Sequence, residues 1–260
     1  MEVRMDGRNA LITGGSLGIG RAIAMRFAGA GANVAIVARR AEVLAEAKLE
    51  IDGCGGGKVA AIVGDVGRAE DCASAYEAAQ SLLGPIDVLV NCAGTSQRLP
   101  FEQITDEMWQ ADLDLKLFAA IRLARLALPG MKTRKWGRII NVLNTGSKAP
   151  PPGGAPTAVS RAAGLALTKV LAGEGAPHNV LVNALLVGRI ESDQWERRHE
   201  AEGGTRSLED YYAEMGGGLP MGRVGTAEEF ANVACFLASE QGSYVAGAGI
   251  NVDGGMCPVV

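Results

Sequence analysis

Short apolar runs rich in β-branched residues alternate along this chain with stretches of helical periodicity, and few folds tolerate that rhythm. The runs occupy residues 9–13, 33–38, 58–63, 86–90, 138–143, 180–185 and 249–252. Between them lie helical segments at 41–52, 68–83, 106–134, 157–173 and 226–239. A further helix follows the first run, with Ile19, Ile23 and Phe27 on one stripe and Gly29 and Gly31 at its end. Continuous apolar strands separated by amphipathic helices predict a parallel sheet covered on both faces. Right-handed crossovers then make it a doubly wound α/β sheet of the Rossmann type. No composition break marks a linker and no repeat of solenoid length is present, so residues 1–260 are expected to form a single domain. The polar, glycine-rich stretch 189–222 interrupts the rhythm after the sixth strand, where a small segment capping the sheet's C-terminal edge is expected.

Composition narrows the function. There are 25 Lys and Arg against 29 Asp and Glu, a net charge of −4, which argues against a nucleic-acid partner. No apolar run nears the roughly 18 residues of a membrane span. The opening stretch from Met1 to Asp6 has acids and no apolar core, so no secretory signal is expected. Cys54, Cys72, Cys92, Cys235 and Cys257 are scattered without metal-ligand spacing, which predicts no metal site and reduced thiols in a cytoplasmic protein.

The most informative motif follows the first run: Thr13-Gly14-Gly15-Ser16-Leu17-Gly18-Ile19-Gly20. A glycine-rich turn between a strand and a helix is the setting of a dinucleotide fingerprint. Gly14 permits the tight turn, Gly18 lets the backbone approach a diphosphate, and Gly20 lets helix and strand pack closely. The helix start offers N–H groups and a positive dipole end. Ser16, Leu17 and Ile19 belong to the same cradle.

The TGxxxGxG spacing resembles that of the short-chain dehydrogenase/reductase family, and the resemblance covers almost the whole chain. Asp65-Val66 resembles the family's adenine contact, and Asn91-Cys92-Ala93-Gly94 its NAG motif. Asn183–Gly188 resembles N-A-x-x-P-G, with Val187 in place of Pro. Ile190 and Ser192 match positions that hold the nicotinamide carboxamide, and Leu219–Arg223 and Val252–Gly255 match closing motifs. The second strand ends in Ala38-Arg39-Arg40 rather than an acid. A guanidinium there binds a 2′-phosphate as a charge-assisted partner, so NADP(H) is expected in preference to NAD(H).

The resemblance also implies a tetrad of Asn, Ser, Tyr and Lys, and all four positions depart from it. They hold Lys116, Asn144, Thr157 and Arg161. A Thr hydroxyl lacks useful acidity near neutral pH, and Arg161 can bond ribose hydroxyls but cannot give up a proton. Asn144 can donate an N–H to a developing oxyanion. Lys116 and Arg161 would repel each other unless an acid or anionic ligand lies between them, with Asp112, Asp114 and Glu191 as the candidates. No Tyr-x-x-x-Lys occurs anywhere in the chain. Within the cap, Tyr211, Tyr212 and His199 could supply a proton, or could simply pack and be solvated.

Three functions remain open on these grounds. One is an NADP(H)-dependent oxidoreductase of a small carbonyl or alcohol substrate, with an unorthodox proton donor, and the two positive side chains at the site point to an anionic substrate. Another is a lyase or isomerase on the same scaffold. The third is a non-catalytic cofactor sensor or silent subunit. The resemblance further implies a homo-oligomer, a tetramer or dimer, with which the apolar Leu113, Leu117, Ile121, Leu165 and Leu167 are compatible.

Overall fold

The computed structural model describes residues 2–96 and 99–260; Met1, the first residue of the stretch read above for a leader, lies outside them. Among the described residues, seven strands form one sheet: β1 (Asn9–Thr13), β2 (Asn33–Ala38), β3 (Val59–Val63), β4 (Val88–Asn91), β5 (Gly137–Asn144), β6 (Val180–Val187) and β7 (Gly249–Val252). Their order across the sheet is β3-β2-β1-β4-β5-β6-β7, and each neighbouring pair is parallel. The strand order reverses between β1 and β4, which opens a crevice at the C-terminal rim.

Successive strand residues point to opposite faces and build two cores. Ala10 and Ile12 of β1 face α1 (Gly18–Gly29), α2 (Ala41–Asp52) and α9 (Ala227–Ala238), packing with Ile23, Phe27, Leu44 and Phe230. Leu11 faces the other way, toward Cys72 and Tyr76 of α3 (Ala69–Leu83) and Leu123 and Met131 of α5 (Ala119–Arg134). The helix α6 (Thr157–Gly175) covers β5 and β6 on this second side, where Leu165 meets Leu143 and Leu186.

The helical segment expected over 106–134 is interrupted. α4 (Asp106–Leu113) passes through a π turn at Asp114–Phe118 before α5 begins. The expected cap contains two helices, α7 (Asp193–Ala201) and α8 (Leu208–Gly217). It is tied down by a short parallel bridge between Ile190 and Gly225. Among the described residues, no helix is long and apolar enough to cross a membrane.

Candidate active site

The C-terminal rim holds a cleft of about 850 Å³, within the range of small-molecule and cofactor sites. Its floor at β1 is the glycine turn. Gly14 takes φ +69°, and a Cβ there would lie 2.9 Å from the Ala93 backbone. The close approach is held by Thr13, whose Oγ1 accepts from the N–H groups of Cys92 at 3.0 Å and Ala93 at 3.1 Å. Gly20 is equally tight: a Cβ there would come within 2.2 Å of the Gly14 carbonyl. α1 begins with no side-chain cap and no acid in its own first turn, so its positive dipole end faces the cleft, with the Asp193 carboxylate of the cap as the nearby acid.

Most of the residues singled out from sequence meet at this cleft. Gly14, Ser16, Leu17, Ile19 and Gly20 line its floor, and Arg39, Arg40, Asp65 and Val66 line one end. Ala93, Gly94, Asn144, Thr157, Arg161, Ile190 and Ser192 line the other parts. Of the expected cofactor-binding and tetrad positions, three do not line it. Gly18 sits at φ +51° against the cap, with Asp193 Oδ1 3.0 Å from where its Cβ would be. Asn91 lies within the sheet and donates to Asn141 Oδ1 at 2.8 Å; Asn141 in turn donates to Thr168 Oγ1 at 2.9 Å. Lys116 is buried behind Thr157.

Lys116 owes its inward position to the π turn, a feature common at functional sites. Its side chain is 1% exposed and pairs with Asp112, itself 2% exposed. Lys116 Nζ also donates to Thr157 Oγ1 at 2.9 Å. Asp112 accepts a second bond from Ser160 Oγ at 2.5 Å. Asp112 is therefore the acid that offsets the two cations, and neither Asp114 nor Glu191 fills that role. Asp114 instead pairs with Arg122 at 2.7 Å. Burial, then the nearby Arg161, pulls Lys116 down to about 8 against the opposing pull of Asp112.

Arg161 is half-buried and donates from Nη1 to the Val142 carbonyl at 2.6 Å. Burial lowers its pKa below the ordinary arginine value. Among the described residues, its Nε and Asn144 Oδ1 are buried polar atoms without a hydrogen-bond partner. Cys92 also lines the cleft, but burial pushes its thiol up to about 12, which suppresses the thiolate that reactivity requires.

The three cap side chains considered as proton donors do not line the cleft. Tyr211 is buried and lines a separate cavity beneath α7 and α8, with its ring 5.0 Å from that of His199. His199 Nε2 lies 3.0 Å from the Arg206 carbonyl. Tyr212 Oη is engaged with the Ser192 backbone, accepting from its N–H at 3.3 Å and donating to its carbonyl at 3.4 Å. The cap contributes other groups instead. Gln194 Nε2 donates to the Gly94 carbonyl at 3.2 Å, and Arg189, Trp195 and Arg197 line the cleft. Sequence reading missed Ser160 and the bracing role of Thr13. The Asp112–Lys116 spacing of four on a helix was the one readable sign of their pairing.

Comparisons with known proteins cover nearly the full length. The family model described as enoyl-(acyl carrier protein) reductase matches residues 14–257. A 3-oxoacyl-[acyl-carrier-protein] reductase of Aquifex aeolicus is 35% identical, over 98% of this chain and 100% of its own. An acetoacetyl-CoA reductase of Shinella zoogloeoides is 32% identical, over 95% of this chain and 98% of its own. The crystal structure of L-sorbose reductase from Gluconobacter frateurii, complexed with NADPH and L-sorbose, superposes with a TM-score of 0.93 at 34% identity, covering 100% of both chains.

Proposed function

The chain belongs to the short-chain dehydrogenase/reductase family, and on that premise we propose that it is an NADP(H)-dependent oxidoreductase of a small carbonyl or alcohol substrate, acting through Lys116, Asn144, Thr157 and Arg161. The observation that carries this reading is convergence: the glycine turn, Arg39 and Arg40, and three of those four side chains line one cleft. Lys116 stands directly behind one of them, Thr157.

The residues present fit the cofactor. The uncapped start of α1 and the side-chain-free surface of Gly14 suit a diphosphate. Arg39 and Arg40, both exposed at the cleft's edge, suit a 2′-phosphate. The nicotinamide supplies or takes up the hydride when bound. Arg161 holds ribose hydroxyls and adds positive potential beside the substrate. Asn144 offers an amide hydrogen to the substrate oxygen, and Ile190 and Ser192 flank the carboxamide. Residues 189–222 close over this site as a cap on a single 260-residue domain. The half-buried Leu113, Leu117, Ile121, Leu165 and Leu167 are available to a homo-oligomeric contact, and the setting is the cytoplasm.

Thr157 favours one second reading. Its hydroxyl alone is too weak an acid, so a protein that binds NADP(H) without turnover is the alternative. A fluorescence titration with NADPH, with NADH as control, followed by NADPH oxidation with acetoacetyl-CoA and L-sorbose as probes, separates the two. Micromolar NADPH binding with turnover supports the oxidoreductase; binding without turnover supports the sensor; no binding removes both.

A further inference from the structure

We propose that Lys116 and Thr157 together form the proton donor of this site, Thr157 handing its hydroxyl proton to the substrate oxygen as Lys116 replaces it. This rests on the oxidoreductase reading above and supplies what that reading lacks, an acid. Thr157 lines the cleft, and its Oγ1 accepts the Lys116 hydrogen bond at 2.9 Å. A hydroxyl that receives a hydrogen bond from an ammonium is a better donor than an isolated one, because charge lost from its O–H is replenished from behind. Lys116 has no route to the cleft except through its neighbours, with a side chain 1% exposed.

The surroundings suit a lysine that gives up a proton. The charged groups facing it are Asp112 on its own helix and Arg161 on α6. Asp112 keeps the ammonium oriented, and Ser160 Oγ fixes Asp112 from the far side. Desolvation and the Arg161 charge bring Lys116 to about 8, near the operating pH where an acid is most effective.

The step balances. In reduction, the carbonyl carbon takes a hydride from the reduced nicotinamide, which becomes oxidised. The carbonyl oxygen takes the Thr157 hydroxyl proton, and the product is an alcohol. The Thr157 oxygen takes a proton from the Lys116 ammonium, which is left as a neutral amine beside Asp112. After product leaves, water in the cleft returns a proton to Lys116 by the same hydroxyl.

The test compares the wild type with Thr157→Val and Thr157→Ser. Valine keeps the shape and leaves the Lys116–Asp112 pair in place, and far-UV circular dichroism with urea unfolding checks that each variant is folded before its kinetics are read. The first readout needs no cofactor: NMR of lysine labelled at Cε, with the Lys116 signal identified by its loss in Lys116→Arg. That signal is expected to titrate near pH 8, and its midpoint to move in Thr157→Val. The second is NADPH oxidation with acetoacetyl-CoA and L-sorbose. Thr157→Val should lose about 10²–10⁴ in kcat at unchanged NADPH affinity, and Thr157→Ser should restore most of it. Reduction by the wild type should fall as pH rises through the Lys116 midpoint. A Lys116 signal that stays fully protonated beyond pH 10, or a Thr157→Val enzyme with wild-type kcat, overturns the relay. A wild type that binds NADPH yet reduces neither probe also overturns it while leaving the cofactor site intact. Absent NADPH binding sinks the oxidoreductase reading itself.

Discussion

Ser160 Oγ donates to Asp112 Oδ2 at 2.5 Å, and this bond joins the end of α4, just before the π turn, to the first turn of α6. Asp112 thereby holds a serine and a lysine with its two oxygens, all three residues 6% exposed or less. Removing Asp112 would leave Lys116 buried and unpaired. Asp112→Ala is expected to destabilise by about 3–5 kcal/mol and Ser160→Ala by about 1–3 kcal/mol. Urea unfolding of both variants measures the two losses; a smaller cost for Asp112 than for Ser160 would contradict the arrangement.

The Lys116 burial has a pH signature in stability. Its ordinary value is 10.5 and its folded value about 8. Between those limits the unfolded chain binds a proton that the folded chain does not, so this group makes stability rise with pH across the window. Relative to Lys116→Met, the wild type should gain on the order of 1–3 kcal/mol between about pH 8 and 10.5. Parallel urea curves at both ends of the window would expose the difference, and equal gains in the two proteins would place Lys116 in ordinary solvent.

Arg39 stands exposed at the end of β2 and lines the cleft. Arg39→Ala should weaken NADPH binding by about 10–100-fold, the worth of a charge-assisted bond, with NADH affinity unchanged. Added salt should narrow the gap, because the site is exposed. An equal loss for both cofactors would show that Arg39 supports the fold of the rim rather than a phosphate.

Asp193 Oδ1 approaches the backbone of Gly18 at the start of α1 and pairs with Arg197 at 2.5 Å. A carboxylate there opposes a diphosphate. Asp193→Asn is expected to tighten NADPH binding roughly fivefold, about 1 kcal/mol. Calorimetric titration of the variant decides it, and weaker binding would mean that Asp193 orders the cap instead of competing at its base.

Much of the fold was legible because each apolar run is too short for a helix and each helix carries its own stripe. The run at residues 33–38 became β2 with the same limits, and the glycine turn fell between β1 and α1 as its spacing requires. The π turn was not legible. Periodicity over 106–134 reads as one helix, and a single-residue change of register leaves the apolar pattern nearly intact. Lys116 shows the cost of that: a charged residue on a helix is normally placed in solvent, and only the altered register turns this one inward. The cap was harder still, because polar residues at 189–222 carry no core signal. Tyr211 and Tyr212 are adjacent in sequence, yet one is buried in a side cavity and the other is spent on the backbone of Ser192.

The order of strands across the sheet has a consequence for the chain as it leaves the ribosome. β3, β2, β1 and β4 are complete by Asn91, and they carry the glycine turn, Arg39 and Asp65. Asn144, Thr157 and Arg161 follow more than 50 residues later, on β5 and α6. On the proposed reading, the nascent protein therefore completes its nucleotide-binding half before the residues assigned to the chemistry are made.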